Sequence, residues 1–401
     1  MRKVYIVGAK RTAIGTFQGT LKDVPAVQLG VAAAKAAMEQ ANVKPEWIDE
    51  TIIGNILMAG QGMGPGRQVS IHAGVPAEKP GYTVNMLCGS GMKAIMIGAV
   101  DIMANQAEVV LAGGMESMDT APYLLPKARF GYRLGDGQLI DHMVFDGLTD
   151  VFNMYHMGVT AENLVEKYGI SREEQDQFAY KSQMKAKKAI ETGRFKDEIV
   201  PFVIKDKKGD KIFDTDEHPR FDTTLEALAK LRPAFKKDGT VTAGNASGIN
   251  DGASATVLAS EDAVKKYGLK PLAEIVAFAQ HGVDPSIMGI GPVGAISKAL
   301  KAANLKLTDI QLIELNEAFA AQSLAVLKDL KKEHGVTDDW LEERVNVNGG
   351  AIALGHPIGA SGNRITVTLL YEMKKRKLEL GLASLCIGGG MGTALIIRNI
   401  E

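Results

Sequence analysis

Short apolar runs alternate with longer amphipathic stretches along this chain of 401 residues. Residues 4–7 and 51–58 read as buried strands. Between them Val27, Val31, Ala34 and Met38 recur at helical spacing and predict a helix over about 25–41. A glycine run at 60–66 leads into a short helix ending near residue 73. A strand at 82–86, a helix at 91–104 and a strand at 108–112 follow. After a long middle stretch the pattern resumes with a strand at 255–259 and a helix capped by Ser260 and closed by Gly268. From residue 273 the opening pattern repeats: strand 273–278, helix 293–303, strand 311–315, helix 317–329 and strand 344–347. A glycine-rich turn at 349–362 leads to a helix at 363–375, and strands at 382–387 and 393–398 finish the chain. Each half reads βαβαβαββ, the first with its last strand delayed by an insert. Such alternation predicts an α/β fold with largely parallel sheets covered by helices, and two related halves packed about a pseudo-twofold.

The insert, 115–250, is richer in Tyr, Phe and charge. Ser171-Arg-Glu-Glu174 forms a capping box that opens a helix running to about residue 192, with Gly193 at its end. Residues 199–204 and 211–213 flank Lys-Lys-Gly-Asp and predict a hairpin. The expected division is 1–114 plus 251–270 for the first half, 115–250 for an inserted loop domain and 271–401 for the second half.

Composition narrows the function classes. Hydrophobic residues at 46% and charged ones at 23% are ordinary for a globular protein. Lys plus Arg number 46 against 47 Asp plus Glu, a net charge of -1 that gives no support for nucleic acid as a partner. Two cysteines outside any Cys-x-x-Cys pair make no disulfide framework and fit a reducing compartment. The histidines lack metal-ligand spacing, so no metal is expected. The glycine run at 60–66 has the wrong spacing for a dinucleotide fingerprint and contains Pro65. The first apolar run is too short for a signal peptide, and no run approaches the ~18 apolar residues of a membrane span. The final Arg-Asn-Ile-Glu is no targeting tail. A cytoplasmic protein without membrane contact is expected.

Candidate chemistry begins at Asn85-Met-Leu-Cys-Gly-Ser-Gly-Met-Lys93. Cys88 falls in a turn between strand and helix. The unpaired N–H groups and dipole of a helix N-terminus favour an anion, which predicts a lowered thiol pKa and a reactive thiolate. Gly89 and Gly91 would let an acyl group approach the backbone. On the local sequence alone a small buried hydrophobe is the commoner reading of such a cysteine. The repeat adds a second fact: His356 occupies the slot of the second half that Cys88 occupies in the first, between third strand and third helix. Cys386 ends the strand that follows. Two halves packed about a twofold can bring these slots together beyond the C-terminal ends of parallel strands.

Four segments therefore carry the chemistry: 85–91 with Cys88, Asn316-Glu-Ala-Phe-Ala320, 348–362 with Gly355-His-Pro-Ile-Gly-Ala-Ser-Gly362, and Cys386-Ile-Gly-Gly-Gly-Met-Gly392. They resemble the signature blocks of the thiolase family, the acetyl-CoA C-acetyltransferases. The resemblance runs over nearly the whole chain. It includes Arg11-Thr-Ala-Ile-Gly15, Ala112-Gly-Gly-Met-Glu-Ser117, His156-Met-Gly158 and Thr242-Ala-Gly-Asn-Ala-Ser-Gly248. It implies a five-layered αβαβα core with a loop domain. It also implies coenzyme A thioesters as substrates (acetyl-CoA, acetoacetyl-CoA and free CoA), with no resident cofactor and no metal.

By the same resemblance Cys88 carries the acyl group and His356 is its general base. Cys386 takes the α-proton of the incoming acetyl group and returns a proton to departing CoA. Asn316 holds a water that, with His356, binds the enolate oxygen; as a residue between strand and helix it equally suits an N-cap. The N–H groups of Cys88 and Gly388 form the other oxyanion hole. Ser247 would contact the pantetheine arm, Arg220 the adenine and phosphate end, and Leu148, His156, Met157, Ala318 and Phe319 the channel. Met288 would lie near the acyl pocket. Segment 122–143 resembles the loop by which short-chain thiolases form tetramers, so a homotetramer, a dimer of dimers, is expected. The charged stretch 331–343 departs from the family pattern as a surface elaboration. The first alternative is a degradative 3-ketoacyl-CoA thiolase with longer substrates. A non-catalytic acyl-CoA-binding subunit is disfavoured by the intact set of four. A β-ketoacyl synthase is disfavoured by Cys386, where a second histidine would be expected.

Overall fold

Strand and helix alternate twice through the chain, as the apolar pattern predicts. In the first half β1 (Val4–Thr12), α1 (Ala26–Ala41), β2 (Glu50–Gly54), α2 (Pro65–His72), β3 (Gly81–Val84), α3 (Ser90–Met103) and β4 (Val109–Ser117) follow one another. The intervening stretch contains α4 (Met157–Tyr168) and α5 (Arg172–Glu191), and β5 (Asn250–Ser260) then completes the half. The second half comprises β6 (Ala273–Gly282), α6 (Gly291–Ala303), β7 (Leu312–Leu315), α7 (Ala320–His334), α8 (Ile358–Arg376), β8 (Leu380–Ile387) and β9 (Met391–Asn399). This computed structural model describes residues 2–205 and 207–400; Met1 and Glu401, the outer limits of the expected division, lie outside them, as does Asp206.

The two halves share one strand order. In the first it is β3-β2-β4-β5-β1, with β3, β2 and β4 parallel and β5 antiparallel to both its neighbours. In the second, β7 is parallel to β8, and β9 is antiparallel to β8 and β6. The strand expected at 344–347 contracts to a single parallel bridge from Val345 to Ile313. Its neighbour Asn346 turns left-handed at φ 46. The Asn346 side chain then bonds both backbone groups of Leu315, at 2.8 and 2.7 Å, in place of a ladder. The halves meet where β1 pairs antiparallel with β6, Tyr5 opposite Glu274 and Ile6 opposite Ala273.

Helices fill three layers around the sheet halves. α1 and α2 cover the outside of the first half, and α6 and α7 the outside of the second. α3 and α8 pack on each other between the two. A helix in that position must be buried all round, and every residue of α8 from Ile358 to Met373 is buried. The expected five-layered αβαβα core is the one observed. Arg11 ties the insert to it: its fully buried guanidinium bonds Glu198 at 2.6 Å and Asp216 at 2.7 and 2.9 Å. Buried charge is tolerated only when paired in this way.

Local expectations in the insert hold in part. The Ser171–Glu174 capping box is formed. The hairpin is limited to Phe202–Ile204 with Lys211–Phe213, while Ile199–Val200 runs parallel to the end of β1 instead. The 331–343 elaboration is the end of α7 plus a short helix, Asp338–Glu342, clamped by a Lys331–Asp338 ion pair.

Candidate active site

The turn holding Cys88 is built by its neighbours. Asn85 Oδ1 accepts the Leu87 N–H at 3.0 Å. Ser90 Oγ accepts the Met86 N–H at 2.8 Å and donates to the Leu87 carbonyl at 2.7 Å. Leu87 sits at φ 47, a left-handed conformation that a non-glycine residue adopts only when so held. Cys88 is half-buried against a cluster of Ile56, Leu57, Met118, Met143 and Ile358, with Leu148 beside it. Its own N–H and that of Gly388 act as donors toward the sulfur and favour the thiolate.

Those two donors do not produce the lowered pKa that the helix N-terminus predicts. Burial pushes the Cys88 thiol up to about 11, and the nearby Glu116 carboxylate adds to the rise. Desolvation here outweighs the helix end. We therefore expect that, without substrate, alkylation of Cys88 by iodoacetamide is slow at neutral pH and climbs toward pH 11; a plateau reached near pH 7 would contradict the burial. The glycines also serve another purpose than expected. A Cβ on Gly91 would lie 2.8 Å from the Asn363 N and 2.9 Å from the Gly359 carbonyl. The space is taken by the first turn of α8, not left for an acyl group. A Cβ on Gly390 or Gly392 would likewise meet the backbone around Val283 and Gly291.

His356 is reached from the other half. Its N–H donates to Asn250 Oδ1 at 2.8 Å, its Nδ1 lies 2.5 Å from Ser361 Oγ, and its Nε2 faces Asn316 Nδ2 at 3.5 Å. Burial, and then the positive charge of Arg364, lower its pKa to about 3. The resting ring is thus neutral, as is the Cys88 thiol. Asn316 follows β7 directly, its N–H donating to the Ser384 carbonyl at 3.0 Å. It is not a helix cap, because α7 starts at Ala320 with Phe319 as its N-cap. Its Oδ1 is buried without a partner. An orphaned buried acceptor costs about 1–3 kcal/mol, so a water or substrate group is the natural occupant beside it.

Cys386 lies near the C-terminal end of β8, 1% exposed. Burial raises its pKa, and a charge on Cys88 would raise it further; the two turns approach closely, since a Cβ on Gly388 would lie 3.3 Å from Leu87. Cys386 packs with Met157, Ala318 and Phe319, three of the expected channel residues, and with Met288, expected near the acyl pocket. His156 stacks on Phe235 with ring centroids 4.5 Å apart, and Phe235 meets Phe319 edge-on at 6.1 Å. Ser247 is held beside the same wall, its N–H donating to the Ala318 carbonyl at 2.9 Å. Arg220 stands apart from these clusters: it lines a cavity of about 280 Å³ with His218, Leu231, Ala243 and Gly244.

Four contributors were not singled out in the sequence. Phe235 carries no motif. Asn250 lies two residues beyond the 242–248 block. Glu116 lies inside the 112–117 block, where its buried carboxylate accepts from Ile56, Leu57, Gly359 and Asn55 at 2.8–3.2 Å and so joins the Cys88 wall to α8. Ser361 lies inside the 355–362 block, five residues beyond the histidine it touches. Among the described residues no cluster of His, Cys, Asp and Glu could hold a metal ion, and no helix is long and apolar enough to cross a membrane.

A thiol before α3, a neutral imidazole before α8 and a second thiol near the end of β8 are the kinds of group that cysteine-dependent acyl transfer uses. Comparison with known proteins gives the family. Residues 4–262 match the thiolase N-terminal domain and residues 269–399 the thiolase C-terminal domain. The chain is 59% identical over 401 residues to an acetyl-CoA acetyltransferase of Syntrophomonas wolfei, covering 100% of both. It superposes with a TM-score of 0.95 on the acetyl-CoA acetyltransferase of Bacillus anthracis, at 49% identity over 100% of this chain and 99% of that one. With human mitochondrial 3-ketoacyl-CoA thiolase in complex with CoA the TM-score is 0.94 at 49% identity, over 100% and 98%. The chain belongs to the thiolase family.

Proposed function

We propose that the protein is an acetyl-CoA C-acetyltransferase that reversibly joins two acetyl-CoA into acetoacetyl-CoA and free CoA. The observation that carries this reading is the close approach of the 387–388 turn to the Cys88 turn, Ile387 to Gly89 and Gly388 to Leu87, which puts a second thiol and the Gly388 N–H within electrostatic reach of the Cys88 sulfur. In the first half-reaction the Cys88 sulfur attacks the acetyl carbon and its proton passes to His356. Because thiol and imidazole both rest neutral, the proton moves as the C–S bond forms. The thioester oxygen becomes an oxyanion held by the N–H groups of Cys88 and Gly388. The CoA sulfur leaves and takes a proton from Cys386. In the second half-reaction the Cys386 thiolate removes a methyl proton from a second acetyl-CoA. The resulting carbon attacks the Cys88-bound acetyl group, and the Cys88 sulfur leaves, recovering its proton from His356.

Asn316 supports the second half-reaction through a water at its unpartnered oxygen, facing the enolate oxygen together with His356. Losing such a donor typically costs about 3–4 kcal/mol of barrier. Asn316→Ala is therefore expected to stay folded and to condense about 10²–10³-fold more slowly, read by acetoacetyl-CoA formation alongside a thermal melt. The short acyl chain is supported by Met288 and Met157, both buried against Cys386 with Phe319. Arg220 at its cavity suits the phosphate end of CoA, and His156, Leu148 and Ser247 the arm. Kinetics on a chain-length series test the substrate: cleavage that is faster for long 3-ketoacyl thioesters than for acetoacetyl-CoA would replace this reading with the degradative one. A homotetramer is supported by Tyr123, Phe130, Leu134 and Leu139, all left exposed on the 122–143 arm, since exposed apolar surface of this kind marks contact sites. A cytoplasmic location accords with two unpaired thiols.

A further inference from the structure

The hydrogen-bond network around His356 assigns a role to a residue outside the set of four. The Ser361 hydroxyl donates to the Pro357 carbonyl at 2.9 Å. Its one proton is thereby used, so towards the ring Ser361 Oγ acts as an acceptor, and the 2.5 Å contact carries a proton on His356 Nδ1. On the far side of the ring Nε2 faces the Asn316 amide nitrogen at 3.5 Å, which is a donor. A proton on Nε2 would set donor against donor. With the Asn316 amide oriented as here, both sides of the ring favour the same tautomer, and the backbone bond from His356 N–H to Asn250 fixes where the ring hangs. The serine is placed for this by the helix itself: it lies in the first turn of α8, whose start is clamped by the Gly359 N–H to Glu116 at 2.9 Å. Histidines that act through one nitrogen are commonly oriented by a hydrogen bond to the other.

We infer that Ser361 is a positioning residue that holds His356 with its proton on Nδ1 and leaves the Nε2 lone pair as the proton acceptor. The inference deepens the proposed reaction and rests on it for its consequence. It makes the same nitrogen serve twice. Nε2 takes the Cys88 proton in the first half-reaction, and as Nε2–H it faces the enolate oxygen in the second. Throughout, Nδ1–H stays bonded to Ser361 and the imidazolium is supported there.

The test reads the tautomer before any turnover. In protein with ¹⁵N-labelled histidine, long-range ¹H–¹⁵N NMR at neutral pH, with His356 assigned by its absence in His356→Asn, is expected to show a protonated Nδ1 and a bare Nε2. A protonated Nε2 in the unaltered enzyme overturns the inference. Ser361→Ala is expected to shift the ring toward Nε2–H and to lower kcat about 10- to 100-fold, as loss of an orienting partner commonly does, with KM for acetyl-CoA within about twofold. Ser361→Thr, which keeps the hydroxyl, is expected to restore both tautomer and kcat. An alanine variant with the original tautomer and kcat overturns the inference. If alanine prevents folding, the wild-type spectrum and the threonine variant decide. An Nδ1–H ring in a protein that makes no acetoacetyl-CoA leaves this inference standing and removes the proposed reaction instead.

Discussion

Cys88→Ala is expected to fold normally and to lose acetoacetyl-CoA synthesis by about four orders of magnitude or more, because removing a covalent nucleophile removes both half-reactions at once. The side chain is half-buried in an apolar wall, and alanine leaves that wall with only a small void, so a thermal melt near that of the parent is the matching expectation. The decisive reading is intact mass with peptide mapping after acetyl-CoA treatment. The parent carries one acetyl group on the peptide containing residue 88, and the variant carries none there. Acetylation and turnover persisting in the variant would dismiss the mechanism.

Cys386→Ser should separate the two half-reactions. Cys88 and His356 are untouched, and a CoA thiolate can depart without the Cys386 proton, so an acetyl-enzyme still forms, more slowly, and accumulates. The serine hydroxyl is a far weaker acid than the thiol, and α-proton removal stalls. Loss of a positioned acid–base group is worth about 10²–10⁴-fold, and the expected result is condensation slowed by that factor with S-acetyl Cys88 trapped. Equal loss of acetyl uptake and condensation would show instead that CoA cannot depart without the Cys386 proton.

The duplicated order of elements was legible because strand and helix periods differ and each half repeats the same alternation. The slots of Cys88 and His356 followed from it. The third strand of the second half was not legible as a single bridge: Val345 and Val347 have the composition of a strand, and only the side chain of Asn346 replaces the ladder. The glycines near Cys88 read as space for a ligand because a sequence records a missing Cβ without recording what fills the gap. Here it is Gly359, Ala360 and Asn363 of the other half. The raised thiol pKa was hidden for the same reason. The helix N-terminus is local, whereas the desolvating wall comes from residues near 56, 118, 143 and 358. Phe235 earns its place only by stacking between His156 and Phe319, a contact no spacing announces.

The pairing of β4 with β5 sets the order in which the molecule can assemble. These neighbouring strands are separated in sequence by the whole of 118–249, and β5 also supplies the partner of β1. The first sheet therefore cannot close until well over half the chain has been made. Its inner face then waits for α8, which comes from the last fifth of the chain and is buried by both halves. Sequence-distant pairing of this kind slows folding. A fragment ending between the two matched family segments, near residue 265, is expected to expose the inner face of α3 and aggregate. The whole chain is expected to unfold in one calorimetric transition, because α8 is buried between the two halves.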